Sequence, residues 1–443
     1  MDAESPLAVP RLTTALSGPL LELESLLLAN QARIEAWLRD QWRATPPPFY
    51  TSVDLRNAGF KLAPVDTNLF PAGFNNLNPA FRPLCVQAAQ AALERACPGA
   101  RRVLLVPESH TRNRFYFESL ATLADIIALA GYEVRIGALN LAADERREVE
   151  LAAGGKLVLE GLVRHGNRLG IMDFDPCVII LNNDLSAGRP AILEDLAQWV
   201  LPPPALGWAT RRKTEHFRIY SQVAREFAGL LGIDPWLIDP LFRNCGKVNF
   251  MKREGEECLA SNVAVLLEEI RAKYAQYGIE REPFIIVKAD AGTYGMGVMT
   301  VRSPDDVLHL NRNERKKMAA TKEGSEVTSV LIQEGVFTFE TWGENAAVAE
   351  PVVYMIDRYV VGGFYRVHAR RGPQENLNAP GMHFEPLAFA EPCNAPDASQ
   401  GPDACPNRFY AYGVIARLAM LAAAREIARV APRMQPAAEP VPA

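Results

Sequence analysis

Cysteine is scarce and scattered, with seven residues in a chain of 443 and no C-x-x-C pair. An odd, dispersed set reads as reduced thiols in a cytosol, not a disulfide framework; Cys393 and Cys405 share one loop but fall under the same reasoning. The six histidines are isolated and lack metal-ligand spacing. No apolar run approaches the ~18 residues that suggest a membrane-spanning helix. Positive charge is not in excess: the net charge of −5 argues against general nucleic-acid affinity. Asp2 and Glu4 stand where a signal peptide would be positive. Neither G-x-x-x-x-G-K-S/T nor G-x-S-x-G occurs, which excludes a P-loop and a serine nucleophile elbow. No internal repeat is visible.

What is present is the composition of a soluble globular protein, 49% hydrophobic and 22% charged. The chain is long enough for two or three domains around sizeable cores. Leu20 to Trp42 reads as one amphipathic helix, with Leu20, Leu23, Leu27, Ile34, Trp37 and Leu38 near a face that packs on the chain's own core. Pro46 to Pro48 ends it. Residues 52–77 mix charges, amides, Gly and Pro with aromatics, and their periodicity is weak. They read as a long irregular connection or as a site-forming loop.

From about residue 100 strands alternate with helices. The pattern predicts strands at 103–106, 133–136 and 178–181 and helices at 114–130 and 190–200, hence a mostly parallel α/β sheet. Polar clusters follow two of the strands, at 107–113 and 182–186. Ligands of open α/β sheets bind at the carboxyl ends of strands, so both clusters are site candidates. Helix capping and turn chemistry would use the same residues. The prolines at 202–204 mark a domain boundary. Beyond it the pattern predicts helices at 214–231, 261–277, 311–322 and 408–430, and a hairpin over 349–368 turning at Asp357-Arg358. Residues 432–443 read as disordered.

The most telling stretch runs from Phe284 to Val301. An apolar run ends in Lys288, a turn with Gly292, Gly295 and Gly297 follows, and an apolar run resumes at Val298. Strand, glycine loop, strand is one way to hold a nucleotide triphosphate without a P-loop. Glycines let backbone N–H groups approach phosphates, and the lysine supplies a point charge. A tight hairpin alone would use the same residues, and it is the downstream order that raises the nucleotide reading. A strand ending in Gln333-Glu334-Gly335-Val336 comes next, then a hairpin whose second strand carries Arg366, then the polar stretch from Glu375 to Gly381.

That order resembles the ATP-grasp superfamily, in which ATP lies between two α+β lobes. The resemblance implies that Lys288 contacts phosphate and that Gly292, Thr293, Gly295 and Gly297 cover it. It makes Gln333, Glu334 and Val336 the adenine hinge and Arg366 the transition-state arginine. Lys213 stands where a second ATP lysine is expected, although a solvated basic surface accounts for it equally well. The family's Glu-x-Asn metal pair is matched loosely by Glu375-Asn376-Leu377-Asn378, so Glu375 or Asn376 would join Asn378 on Mg²⁺, which takes oxygen ligands and keeps waters.

Longer blocks narrow the resemblance. Residues 52–77, 107–116, 207–220, 249–260, 284–301 and 376–387 look like the proteobacterial glutamate–cysteine ligase family of the Acidithiobacillus type, over most of the chain. This implies an α/β, glutathione synthetase-like ATP-grasp fold with an N-terminal Rossmann-like domain. It also implies ATP- and Mg²⁺-dependent joining of the glutamate γ-carboxylate to the cysteine amine through an acyl phosphate, the first step of glutathione synthesis, in the cytoplasm. The expected layout is a helical segment over 1–45, a substrate-binding domain over 46–204, lobes over 205–330 and 331–430, and a tail over 431–443. Two amino-acid substrates need carboxylate and ammonium anchors. Arg56 and Arg112 are candidates for the first, and Asp54, Asp66, Glu108 and Asp184 for the second, with Asn113 in the same polar cluster. Structural salt bridges would use the same residues. Another ATP-grasp amino-acid or peptide ligase, or a nucleotide-binding protein without ligase activity, stays open at this point, as does a homo-oligomer. No nucleic-acid or membrane partner is expected.

Overall fold

The computed structural model describes residues 12–13, 18–109, 113–292, 297–319, 326–386 and 405–430. The expected disordered tail and Cys393 lie outside the described residues. Among the described residues no helix is long and apolar enough to cross a membrane.

A six-stranded sheet forms the first layer. Trp199–Leu201, Val178–Asn182, Arg102–Pro107, Glu133–Ala138 and Lys156–Gly161 run parallel in that spatial order, with Arg146–Glu150 antiparallel at the edge. Val103 to Val106 and Val178 to Leu181 are fully buried. Their unbroken apolar runs fit strands covered on both faces, as the alternation predicts. The helix predicted at 190–200 is not formed. A short 3₁₀ turn, Ala191–Leu193, is followed by the strand Trp199–Leu201. Leu201 precedes Pro202, which disfavours helical backbone, and Trp-Val-Leu suits a pleated strand.

A seven-stranded antiparallel sheet is the second layer. Its centre is the hairpin Ala347–Ile356 with Tyr359–His368, turning at Asp357, whose φ is 52° and whose carboxylate accepts from Arg358 N and from Arg95. The reading of 52–77 as irregular is corrected here: Tyr50–Asn57 and Leu62–Asn68 are antiparallel strands, and the first pairs with Ala347–Ile356. The site-forming alternative keeps its basis, because the hairpin's polar residues share one face. In a strand alternate residues face opposite ways. Val53, Leu55, Ala349, Val353, Tyr365 and Val367 enter the main core, while Tyr50, Val352, Tyr354 and Phe364 enter the core under the parallel sheet. Asp54, Arg56, Glu350 and Arg366 continue that second face past the point where the apolar side chains stop. Polar residues on a buried face erase the alternation that would have marked a strand.

The third sheet is four-stranded and antiparallel, in the order Phe242–Cys245, Val330–Glu334, Ile285–Ala289, Val298–Val301. Helices Lys213–Leu231 and Glu256–Gln276 pack on it. Helix Cys405–Val430 runs against Lys213–Leu231 and against the hairpin strands Tyr50–Asn57 and Leu62–Asn68, tying the small sheet to the large one. The single helix expected over 20–42 is two, Pro19–Ala29 and Gln31–Ala44, meeting at Asn30. Leu20, Leu23, Leu27, Ile34 and Leu38 are buried as expected, and Trp37 packs at the margin of the same core.

Candidate active site

A cleft of about 910 Å³ is lined on one side by the four-stranded sheet and on the other by the large sheet. On strand Ile285–Ala289, Ile285, Val287 and Ala289 enter the core, which turns Lys288 into the cleft. Lys288 Nζ donates to the Val65 carbonyl and to Gln333 Oε1, both at 2.8 Å. Burial pushes this lysine down to about 8, against the upward pull of Asp66. Lys213 enters from the first turn of helix Lys213–Leu231. Its Nζ lies 3.7 Å from the centroid of the Trp208 ring and 3.6 Å from Asp66 Oδ1, and burial lowers its pKa as well. Asp66 keeps a lowered pKa in spite of burial because Lys213 and Lys288 face it.

Gly292 lines the cleft at φ 101°, and Gly297 closes the turn at φ 64°, both in the left-handed region that glycine tolerates. Thr293 and Gly295 lie outside the described residues. At the expected hinge, Gln333, Glu334 and Val336 all line the cleft. The Glu334 carboxylate, however, accepts from Lys61 Nζ at 2.7 Å, from Leu241 N at 2.9 Å and from Trp236 Nε1. That side chain anchors the hinge, so a nucleotide there would meet the backbone.

On the opposite wall Arg366 Nη1 donates to Asp54 Oδ2 at 2.9 Å and to Glu350 Oε1 at 2.5 Å. These carboxylates raise the arginine's pKa in spite of its burial. Burial raises that of Asp54, with Arg366 opposing and Glu350 adding. Arg56 also lines the cleft, but its guanidinium engages protein groups: Glu350 Oε2 at 3.1 Å, the Val336 carbonyl at 3.2 Å and the Glu375 carbonyl at 2.6 Å. A carboxylate anchor would have to displace these partners. Glu375, Asn376 and Asn378 stand at the rim. Glu375 Oε1 accepts from Arg371 at 2.6 Å and Oε2 from Gly372 N at 2.7 Å, and Asn376 Oδ1 accepts from Asn378 N at 3.0 Å. Among the described residues no three His, Cys, Asp or Glu side chains gather into a metal cage.

The glutamate–cysteine ligase profile matches residues 24–427. The chain belongs to the glutamate–cysteine ligase family. Its class is therefore that of the ATP-dependent acid–amino-acid ligases. A provisionally named γ-glutamylcysteine synthetase from Methylobacillus flagellatus KT is 59% identical, with a TM-score of 0.88, covering 96% of this chain and 99% of that one. A glutathione synthetase-like effector from Globodera pallida is 10% identical over 83% of each chain, at a TM-score of 0.37. A D-alanyl-alanine synthetase A from Vibrio cholerae is 10% identical over 72% of this chain and 80% of that one, at a TM-score of 0.32. The last two likenesses are too slight to carry an argument. A search of curated proteins finds no match.

Not every expected residue lines this cleft. Glu108, Asn113 and Asp184 follow the carboxyl ends of the parallel strands and are not among the residues that line it. Asn113 Oδ1 accepts from Phe115 N at 3.0 Å as a helix cap, and Asp184 Oδ1 accepts from Ser186 N at 2.9 Å in a turn. The Glu108 N–H donates to the Tyr116 hydroxyl. Asn113 and Asp184 thus make the capping and turn bonds that the sequence reading set beside a binding role. Arg112 lies outside the described residues. Glu350, which lines the cleft, and the buried Asp290 were among the residues that went unread. Glu350 lies inside an apolar strand, where its charge alone marked it. Asp290, two residues past Lys288, accepts from Thr214 N and Oγ1 at 2.8 and 2.9 Å and so fixes the helix that carries Lys213.

Proposed function

We propose that the cleft is where this glutamate–cysteine ligase activates the γ-carboxylate of glutamate with ATP and delivers it to the cysteine amine. The observation that carries this is a pair of buried N–H donors on opposite walls, Gln333 Nε2 and Arg366 Nε, each without a hydrogen-bond partner in the protein. Buried donors are almost always satisfied, so an acceptor-rich ligand is the economical explanation. Lys213 and Lys288 add positive charge on the same side as Gln333. A nucleotide triphosphate supplies acceptor oxygens and negative charge together.

A γ-carboxylate oxygen attacks the γ-phosphorus, ADP departs, and an acyl phosphate forms. Such a transfer depends mostly on positioning and charge stabilisation. Lys288 and Lys213 hold the phosphates, and the hinge backbone from Gln333 to Val336 holds the adenine. The neutral cysteine amine then attacks the acyl carbon, the C–O bond to phosphate breaks, the nitrogen's proton leaves with the phosphate, and Arg366 faces the developing oxyanion. Asp54 and Asp66 are the cleft carboxylates suited to substrate ammonium groups. Glu375, Asn376 and Asn378 carry oxygen ligands of the kind a divalent cation takes; they would hold it with phosphate oxygens by giving up the bonds of Glu375 to Arg371 and Gly372 N and of Asn376 to Asn378 N, and it would neutralise phosphate charge. Reduced thiols at Cys85, Cys97, Cys177, Cys245 and Cys258 fit a cytoplasmic enzyme.

Incubating the protein with ATP, Mg²⁺ and a panel of amino acids tests the reading. ADP release is expected only when glutamate and cysteine are both present, and release with a different pair would reassign the substrates. A second test uses pH. Lys288 loses its charge as pH rises through about 8. The kcat/KM for ATP is therefore expected to fall about tenfold per pH unit above that point, while kcat holds to higher pH because bound phosphate raises the lysine's pKa. A kcat/KM that stays flat to about pH 10 would contradict the role of Lys288.

A further inference from the structure

We propose that Glu350 is a positioning residue that couples the nucleotide end of the cleft to its phosphoryl-transfer end. The proposal rests on the functional reading above. Arg56, Glu350 and Arg366 lie on three neighbouring strands, and all face the cleft. Glu350 is the direct cross-strand partner of Arg366. Arg56 is two residues along from Asp54, which pairs with Val352, so it falls on the same face beside Glu350. The one carboxylate takes both arginines, Arg56 Nε on Oε2 and Arg366 Nη1 on Oε1.

The ends of this row set it apart from a merely stiffening ion network. At one end Arg56 donates to the carbonyl of Val336, in the hinge. At the other, Arg366 is held at a single nitrogen by Glu350 and Asp54 together, and its buried Nε keeps no protein partner. A guanidinium is a planar, rigid fork, so fixing Nη1 fixes where the Nε–H points. A carbonyl carries two lone pairs, so Val336 can meet a nucleotide and Arg56 at once. A ligand that shifts or stiffens the hinge therefore acts on Arg56, through Glu350 on Arg366, and so on the phosphoryl group. Side chain and backbone form one continuous hydrogen-bonded path between the two ends.

The test uses the full chain and Glu350→Gln, which keeps the shape and removes the charge. Three quantities are measured: kcat at saturating substrates, the melting temperature, and the calorimetric Kd of a non-hydrolysable ATP analogue with and without saturating glutamate. In the wild type glutamate is expected to tighten analogue binding about fivefold or more, a typical coupling between linked sites. In Glu350→Gln that ratio is expected to fall to near one. Its kcat is expected to fall about 100-fold, the scale on which small misplacements of catalytic groups act. If Glu350→Gln does not fold, Glu350→Asp, which keeps the charge but is too short to span both arginines, is measured the same way. An unchanged ratio in a folded variant, no ratio in the wild type, or a lowered melting temperature with kcat within threefold overturns the proposal. Absence of glutamate- and cysteine-dependent ADP release by the wild type would instead sink the functional reading, and the binding ratio would still decide the coupling.

Discussion

Arg366→Lys is expected to lower kcat by about 100- to 1,000-fold while the protein stays folded. The substitution keeps a positive charge between Asp54 and Glu350, so neither buried carboxylate is left without compensation. It gives up the planar fork. A lysine ammonium held by those carboxylates cannot also present a directed N–H where Arg366 Nε points, and transition-state donors act through direction as much as charge. The KM for ATP is expected to rise as well, since Arg366 Nε is one of the two donors assigned to bound nucleotide, but by less than kcat falls, because the interaction strengthens as charge develops. Arg366→Met is expected to be as inactive but also less stable, since Asp54 then loses its cation. Steady-state kinetics beside thermal melts separate the two effects. A folded Arg366→Lys protein with kcat within threefold of the wild type would remove Arg366 from the chemistry.

Arg211→Met is expected to destabilise the fold by about 3–5 kcal/mol, the scale for breaking a buried ion pair from one side. Arg211 donates to both oxygens of Glu426 at 2.9 Å, to the Thr67 carbonyl at 2.5 Å, and stands 3.1 Å from His216 Nδ1, all in the core. Burial alone would raise the Glu426 carboxyl, but the Arg211 guanidinium, with His216, holds it down to about 2. His216 is lowered by burial, against the pull of Glu426. Without Arg211 the carboxylate remains buried and loses its guanidinium partner. The pair Arg211→Met with Glu426→Leu is expected to recover most of the loss, because two apolar side chains of similar size leave no buried charge. Denaturant midpoints read both variants, and an unchanged midpoint in Arg211→Met would be decisive against this account.

The same cluster sets the direction of acid sensitivity. A carboxyl whose folded pKa is depressed contributes fully above its ordinary value of 4.5 and loses that contribution as pH falls toward about 2. A histidine whose folded pKa is lowered takes up its proton more readily in the unfolded chain as pH falls through its ordinary value of 6.5, which also favours unfolding. Both terms make the wild type lose stability toward acid. Arg211 and Glu426 join the segment before Lys213 to the C-terminal helix, so the cluster also holds the cleft wall that carries that lysine.

Some of this was legible one segment at a time. The apolar run ending in Lys288, the glycine turn, the hinge strand, the arginine hairpin and the amide-rich stretch each have a local signature, and their order suffices to point to ATP chemistry. The alternation after residue 100 likewise sufficed for a parallel sheet, because strands covered on both faces are continuous apolar runs. What only the tertiary structure decided was which polar residues meet. Asp54 and Arg56 lie in a segment whose buried polar face hides its strand pattern. Glu350 sits 16 residues from Arg366 and 294 from Arg56, yet accepts from both. Glu108, Asn113 and Asp184 have the residue types and strand-end positions of a binding site, but they are not among the residues that line the cleft. Side-chain chemistry and periodicity are set by neighbours in the chain, whereas the cleft is set by register between strands far apart in it. A one-residue change in that register would turn every one of these side chains to the other face.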